Sequence, residues 1–302
     1  MWFFFALLTT LSWGTADLFY KKGSDSKDKY STVKIGIMVG FVMGIHGLLY
    51  MLIEGITFDP FDIVKYLPVS FFYIVSMLVG YLGLRYIELS ISSPVQNSSG
   101  ALTAIALIIL FPQELSTLNI VGIVLITGGV IGLAVLERKL QVTALKADKQ
   151  TINPKYQIGV LAITFPILYA ILDAIGTAAD GIYLDELSLI SEEAALLAYE
   201  FTWFLYAVIA LIYLTVIKKQ KFNLLKEPVR TSAAVFETAG QFFYVFAISN
   251  NAVIAAPLIA SYSIVSVILS RIFLKEKLSK LHYILIVIVM VGIAVLGFAE
   301  EL

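Results

Sequence analysis

Ala255-Ala256-Pro257, running on through Ser261-Tyr262-Ser263 to Phe273-Leu274, forms an apolar segment, 255–274, whose only charge is Arg271. At 20 residues it is long enough to cross the hydrocarbon core of a bilayer as a helix. Moving 163 positions toward the N-terminus brings up a second version of it. Ser92-Ser93-Pro94 stands against Ala255-Ala256-Pro257, and Ser98 against Ser261. The match continues without a gap through Leu115-Ser116 and Leu278-Ser279, Leu118 and Leu281, Ile123-Val124 and Ile286-Val287, Gly129 and Gly292, Leu133 and Leu296. An internal repeat of this length divides the chain in two. Five apolar runs in the first half (2–20, 33–53, 66–87, 92–111, 118–136) are answered by five in the second (157–178, 194–217, 231–249, 253–274, 281–298). An odd number of crossings per half makes the second half enter the membrane with opposite orientation. The expected fold is an all-α integral membrane protein of ten transmembrane helices in an inverted repeat of five plus five. Residues 1–140 form the first repeat, 141–156 a cytoplasmic linker and 157–302 the second repeat. Inverted repeats are typical of secondary transporters, whose substrate sites lie near the bilayer midplane between the halves.

Composition agrees. Of 302 residues 59% are hydrophobic and 14% charged, with mean hydropathy +0.90, against about 45 to 50% apolar and about 25% charged in soluble domains. A soluble globular protein is excluded, and ten spans leave little chain for a water-soluble domain. The net charge of −1 removes nucleic acid as a partner. Without cysteine there are no disulfides, thiol chemistry or cysteine-ligated metals, and two histidines, His46 and His282, do not make a histidine-rich metal site. No metal or cofactor is expected. Nor is catalysis, because the chain has no Gly-rich phosphate loop, His-Glu-x-x-His pattern or Gly-x-Ser-x-Gly elbow.

Orientation follows from Lys and Arg, which short cytoplasmic loops retain. The loop regions after spans 1, 3, 5, 7 and 9 hold 20 of the 21, and only Lys65 falls on the other side. The loop after span 6 carries Asp180, Asp185, Glu186, Glu192 and Glu193 with no basic residue. Both termini are therefore expected outside the cytoplasm, in a plasma or inner membrane. The first run is not read as a secretory signal, because Lys21 and Lys22 follow it rather than precede it.

Gly83-Leu84-Arg85-Tyr86, the small and polar run from Ser90 to Gly100, Leu115-Ser116, Gly122 and Gly128-Gly129-Val130 resemble the EamA repeat of the drug/metabolite transporter superfamily. The second copy, Leu274-Lys275-Glu276-Lys277-Leu278-Ser279 with Gly292, is closer still. The first copy has Gln113 where the family usually has the glutamate matched by Glu276. The resemblance covers nearly the whole chain. It implies a central cavity formed by spans 1 to 4 and 6 to 9, with 5 and 10 peripheral. It does not single out a substrate, since members carry amino acids, sugars, nucleotide conjugates, quaternary amines and drugs.

Ionisable groups inside spans cost about 2.5 to 3.5 kcal/mol at the centre, so each needs a reason. Glu237 lies mid-span with no basic residue within six positions, and Gln241 and Tyr244 follow on its face. It reads as a substrate or proton site, or as a protonated acid hydrogen-bonded between helices. Asp17 and Asp173 each follow an aromatic residue by four, Trp13 and Tyr169, on the corresponding spans 1 and 6. Ring and carboxylate then share a face. For Asp17 the competing reading is a boundary salt bridge with Lys21. Span 7 adds Glu200 and Trp203 beside Tyr199 and Tyr206, a set that also fits an interfacial aromatic belt. Gln96 and Asn97 on span 4 and Tyr262 on span 9 lie in small-residue runs that equally permit close packing. Pro94 and Pro257, early in those spans, are placed to bend a gate. Lys34 and Arg85 sit at the cytoplasmic edge, Arg85 within reach of Glu88, and His46 reads as a packed histidine or a relay.

This acidic and aromatic set suits a cation, because a ring face attracts an ammonium by about 0.5 to 2 kcal/mol and a carboxylate supplies the countercharge. The expected function is alternating-access transport of a small amine or quaternary-ammonium cation, choline-like, with protons and the lipid bilayer as further partners. The alternatives are an exporter of amino acids or other neutral or zwitterionic metabolites, and, in a different class, a channel or lipid-handling scaffold.

Overall fold

The computed structural model describes residues 1–25, 27–147 and 164–300, and every regular element among them is helical. Long apolar runs have this one solution in lipid, because only a helix or a closed barrel satisfies its own backbone there. The helices are α1 (Trp2–Gly23), α2 (Ser31–Glu54), α3 (Phe61–Gly83), α4 (Leu89–Gln96), α5 (Ser99–Leu110), α6 (Thr117–Ala147), α7 (Thr164–Gly181), α8 (Glu192–Ile212), α9 (Pro228–Ala260), α10 (Tyr262–Leu269) and α11 (Lys280–Glu300). Their ends are marked locally. Ser191 caps α8 by accepting the Ala194 N–H at 3.2 Å, with Glu192 and Glu193 in the first turn, and Gly55 stops α2 at φ 64°.

Among the described residues eight helical stretches are long and apolar enough to cross a membrane. The longest, Pro228–Leu274, has 47 residues. At about 1.5 Å per residue it exceeds twice the roughly 30 Å hydrocarbon thickness, and it breaks at Asn251, whose φ of −169° and ψ of 72° are not helical. Two helices meet at that break, which falls between expected spans 8 and 9. The 22-residue α1 has spanning length without being among the eight.

Two boundaries differ from expectation. Helix α6 continues past 136 to Ala147, into the stretch read as linker. Residues 148–163, which hold the rest of that linker and the start of expected span 6, lie outside the described residues. Helix α7 runs to Gly181 and continues as a π-helical turn to Glu186, so Asp180, read as a loop residue, is a helical residue with 0% exposure.

The repeat offset recurs in the backbone. Helices α4 and α5 part at Ser98, and α9 and α10 at Ser261. At both places the serine N–H and hydroxyl return to the carbonyl three residues earlier, Val95 in one and Leu258 in the other. Across the molecule α1 packs along α9, α2 along α8, α3 along α7 and α6 along α11, while α5 lies against α9 and α4 against α10. The α4–α5 and α9–α10 pair closes tightly at Gly100, where a Cβ would stand 2.5 Å from the Ala260 Cβ. Exposed side chains on α6 and α11, such as Val124, Val135, Val287 and Met290, are the apolar faces that lipid covers.

Candidate functional site

Between these pairs lies a cavity lined from α1, α3, α4, α5, α7, α8, α9 and α10. Among the described residues lining it are three carboxyl groups (Asp17, Asp173, Glu237), seven tyrosines and Trp13, and no lysine, arginine or histidine.

Each carboxyl is held by hydroxyls. Oδ2 of Asp17 accepts from Ser93 on α4 and Ser266 on α10, both at 2.7 Å. Asp173 accepts from Ser99 on α5 at 2.7 Å. Glu237, 5% exposed, accepts the Tyr20 hydroxyl at 3.1 Å. These neutral donors orient the groups without supplying a countercharge. The rings stand close by. Trp13 and Tyr244 have centroids 5.0 Å apart, and Trp13 and Tyr262 5.8 Å with planes at 75°. Gly240 makes room for Trp13, since a Cβ there would lie 2.3 Å from the indole, whose Nε1 donates to the Glu237 carbonyl at 3.3 Å.

The cavity gathers ten of the twelve residues singled out from sequence: Trp13, Asp17, Gln96, Asn97, Tyr169, Asp173, Glu237, Gln241, Tyr244 and Tyr262. Glu200 and Trp203 are not among its lining residues. Glu200, fully buried, pairs with His46 Nδ1 at 2.8 Å between α8 and α2. Trp203, also at 0% exposure, packs edge-on to Tyr206, and its backbone carbonyl lies against α2, where a Cβ on Gly40 would stand 2.2 Å from it. Lys21 turns toward the 84–87 turn, donating to the Leu84 carbonyl at 2.7 Å and to that of Ile87.

The EamA-like transporter family model matches residues 1–135 and 164–298. The chain belongs to that family. This places it among membrane transporters of the drug/metabolite transporter superfamily. A crystal structure of another protein shares the fold, with a TM-score of 0.62 at 14% identity over 95% of this chain and 97% of that one. Among curated proteins none matches.

In this EamA-like transporter polar contacts tie the helices together toward both ends of the bundle. At the Lys- and Arg-rich end Arg230 donates to the Gly23 carbonyl at 2.9 Å and lies 3.7 Å from Asp28, which Lys34 also pairs at 2.8 Å. Partial burial pushes the Asp28 carboxyl up, but the Lys34 and Tyr30 hydrogen bonds and the Lys34 and Arg230 charges outweigh it and hold the group below the usual carboxylate range. Glu276 accepts the N–H groups of Leu89 at 3.1 Å and Ser90 at 2.9 Å, capping α4. Nearby Glu88 is pushed up by burial and then by the Glu276 charge. At the acidic end Asp185 accepts the Ala252 N–H at 2.8 Å, which is the position of Leu89 moved on by the repeat. Gln113, at the place of Glu276, bonds instead to Glu186 at 2.6 Å. Asp185 thus supplies the carboxylate that the first copy lacks. Tyrosines add to these contacts, with Tyr73 bonded to Tyr244 and to Thr177 at 3.0 Å.

The residues missed by sequence reading are chiefly Tyr66, Tyr73 and Tyr81 of α3, with Tyr20 and Asp180. Spacings of seven and eight put the α3 tyrosines on one stripe, and Asp173, Thr177 and Asp180 share a face of α7. Those periodicities were the available signal.

Proposed function

We propose that this transporter is a secondary active carrier of a small amine or quaternary-ammonium cation, working by alternating access with proton coupling. The observation that carries the reading is the cavity lining: three carboxyls and eight Tyr or Trp rings, with no basic residue among the described ones. Rings offer their negative faces to an ammonium without the cost of dehydrating a second charge, and a carboxylate neutralises it. A carboxyl that carries a proton when empty and a cation when occupied keeps the site near neutral in both states. The ten-crossing inverted repeat belongs to the same proposal. Exchanging the halves turns the span 1–span 8 contact into the span 6–span 3 contact and maps pairs 2–7, 4–9 and 5–10 onto themselves, which supports it. In a plasma or inner membrane the Lys- and Arg-rich end faces the cytoplasm and both termini lie outside.

The test uses choline and its neutral carbon isostere on purified protein. Choline should raise the melting temperature, because a ligand of the folded state adds to stability, and the isostere should raise it much less. Trp13→Ala and Tyr262→Ala should each weaken choline binding by about 2- to 30-fold, the worth of one ring face, while leaving the weak isostere response unchanged. Equal losses for both ligands would mean shape packing rather than cation recognition.

A further inference from the structure

Asp180 is a buried acid that the substrate reading does not use. It stands two turns beyond Asp173 on α7, is fully buried, and is not among the residues lining the cavity. Its Oδ1 accepts the Tyr66 hydroxyl, while its Oδ2 has no hydrogen-bond partner. Around it stand Tyr66 and Tyr73 of α3, Tyr199 of α8 and Tyr244 of α9, with Thr177 and Asp173 on its own helix. Helices α4 and α5 bring no ionisable side chain. The Tyr73 and Tyr244 hydroxyls, which face Asp180, are bonded to each other and line the cavity. One continuous set of hydroxyls therefore joins the buried acid to the site.

An ionised carboxylate in this place is fully buried, with tyrosine hydroxyls and no basic side chain among the described groups around it, a costly arrangement for a buried charge. The neutral acid is better matched, because its own O–H has tyrosine oxygens to donate to. We propose that Asp180 is a proton-binding site separate from the cavity that controls its acidic end: with the proton bound the Tyr66–Tyr73–Tyr244 cluster stays closed, and with the proton lost it opens. Only a proton moves in this step, from the aqueous phase at the acidic end to Oδ2 and back. The inference rests on the alternating-access reading and places a second proton site at a gate rather than with the substrate.

The chain has no cysteine, so two labels can be placed on it without background. Spin labels at Phe61→Cys and Asn250→Cys, both exposed, report the separation of the start of α3 from the break in α9 by pulsed electron resonance. In purified protein without substrate the ratio of long- to short-distance populations should rise with pH by up to about tenfold per unit, the limit for one proton. Asp180→Asn, permanently neutral, should hold the short distance at every pH. Tyr66→Phe keeps the carboxyl and removes its donor, so its response should persist at a displaced pH. A distance that ignores pH in the parent chain, an unaltered response in Asp180→Asn, or a Tyr66→Phe response at the parent's pH would each overturn the proposal. Failure of the cation reading would show separately, as the loss of the choline-induced thermal shift.

Discussion

Glu237 is the carboxyl most dependent on its neighbours. Its helix supplies no counterion, the Tyr20 hydroxyl donates to it, and the Trp13 indole is fastened to its backbone carbonyl. As the proposed point of exchange between proton and cation, it should respond sharply to loss of titration alone. Glu237→Gln keeps the shape and an acceptor for Tyr20. It should fold normally and abolish proton-driven uphill uptake of choline in proteoliposomes, whereas Asp17→Asn, whose serine donors lie on two helices, should be milder. A well-folded Glu237→Gln protein that still concentrates choline with unchanged pH dependence would reduce Glu237 to a structural hydrogen-bonding group. The depth of Glu237 and the Trp13–Asp17 and Tyr169–Asp173 spacings were legible in sequence, since each is a local pattern on one helix. That Glu200 pairs with His46 instead of facing the cavity was not, because the two come from helices 154 residues apart.

At the scale of elements, the ends of the broken helices matter most. A helix start leaves N–H groups without partners, and within a membrane protein a carboxylate is the strongest acceptor available for them. Glu276 does this for α4 and Asp185 for the part of α9 that begins at Ala252. Glu276→Ala, which uncovers two backbone N–H groups at a site only 9% exposed, should destabilise by about 1 to 3 kcal/mol per charged bond lost. Gln113→Ala should cost less, because Gln113 bonds an exposed side chain rather than a helix end. Melting temperatures of the two variants in one detergent decide this, and a Gln113→Ala loss as large as that of Glu276→Ala would mean the caps are not what distinguishes them. The sequence marked both positions through the repeat but offered no means of seeing that Asp185 reaches across to the Gln113 side.

For the whole molecule, the proposed orientation is tested by single cysteines in an otherwise cysteine-free chain. A cysteine in place of exposed Lys221 should resist an impermeant thiol reagent in intact cells, and one in place of exposed Asp59 should react. The reverse pattern would invert the topology. The sequence by itself determined a helical membrane protein with a repeat and a segregated charge distribution, because apolar length, an offset of identical residues and loop charge are properties of the chain read along one dimension. Only the tertiary structure decided which acids meet at the cavity and that Asp180 lies inside a helix among tyrosines instead of in a loop. Burial and partnership depend on helices brought together from opposite halves, and a polar residue at a span's end carries no local mark of whether water or another helix will face it.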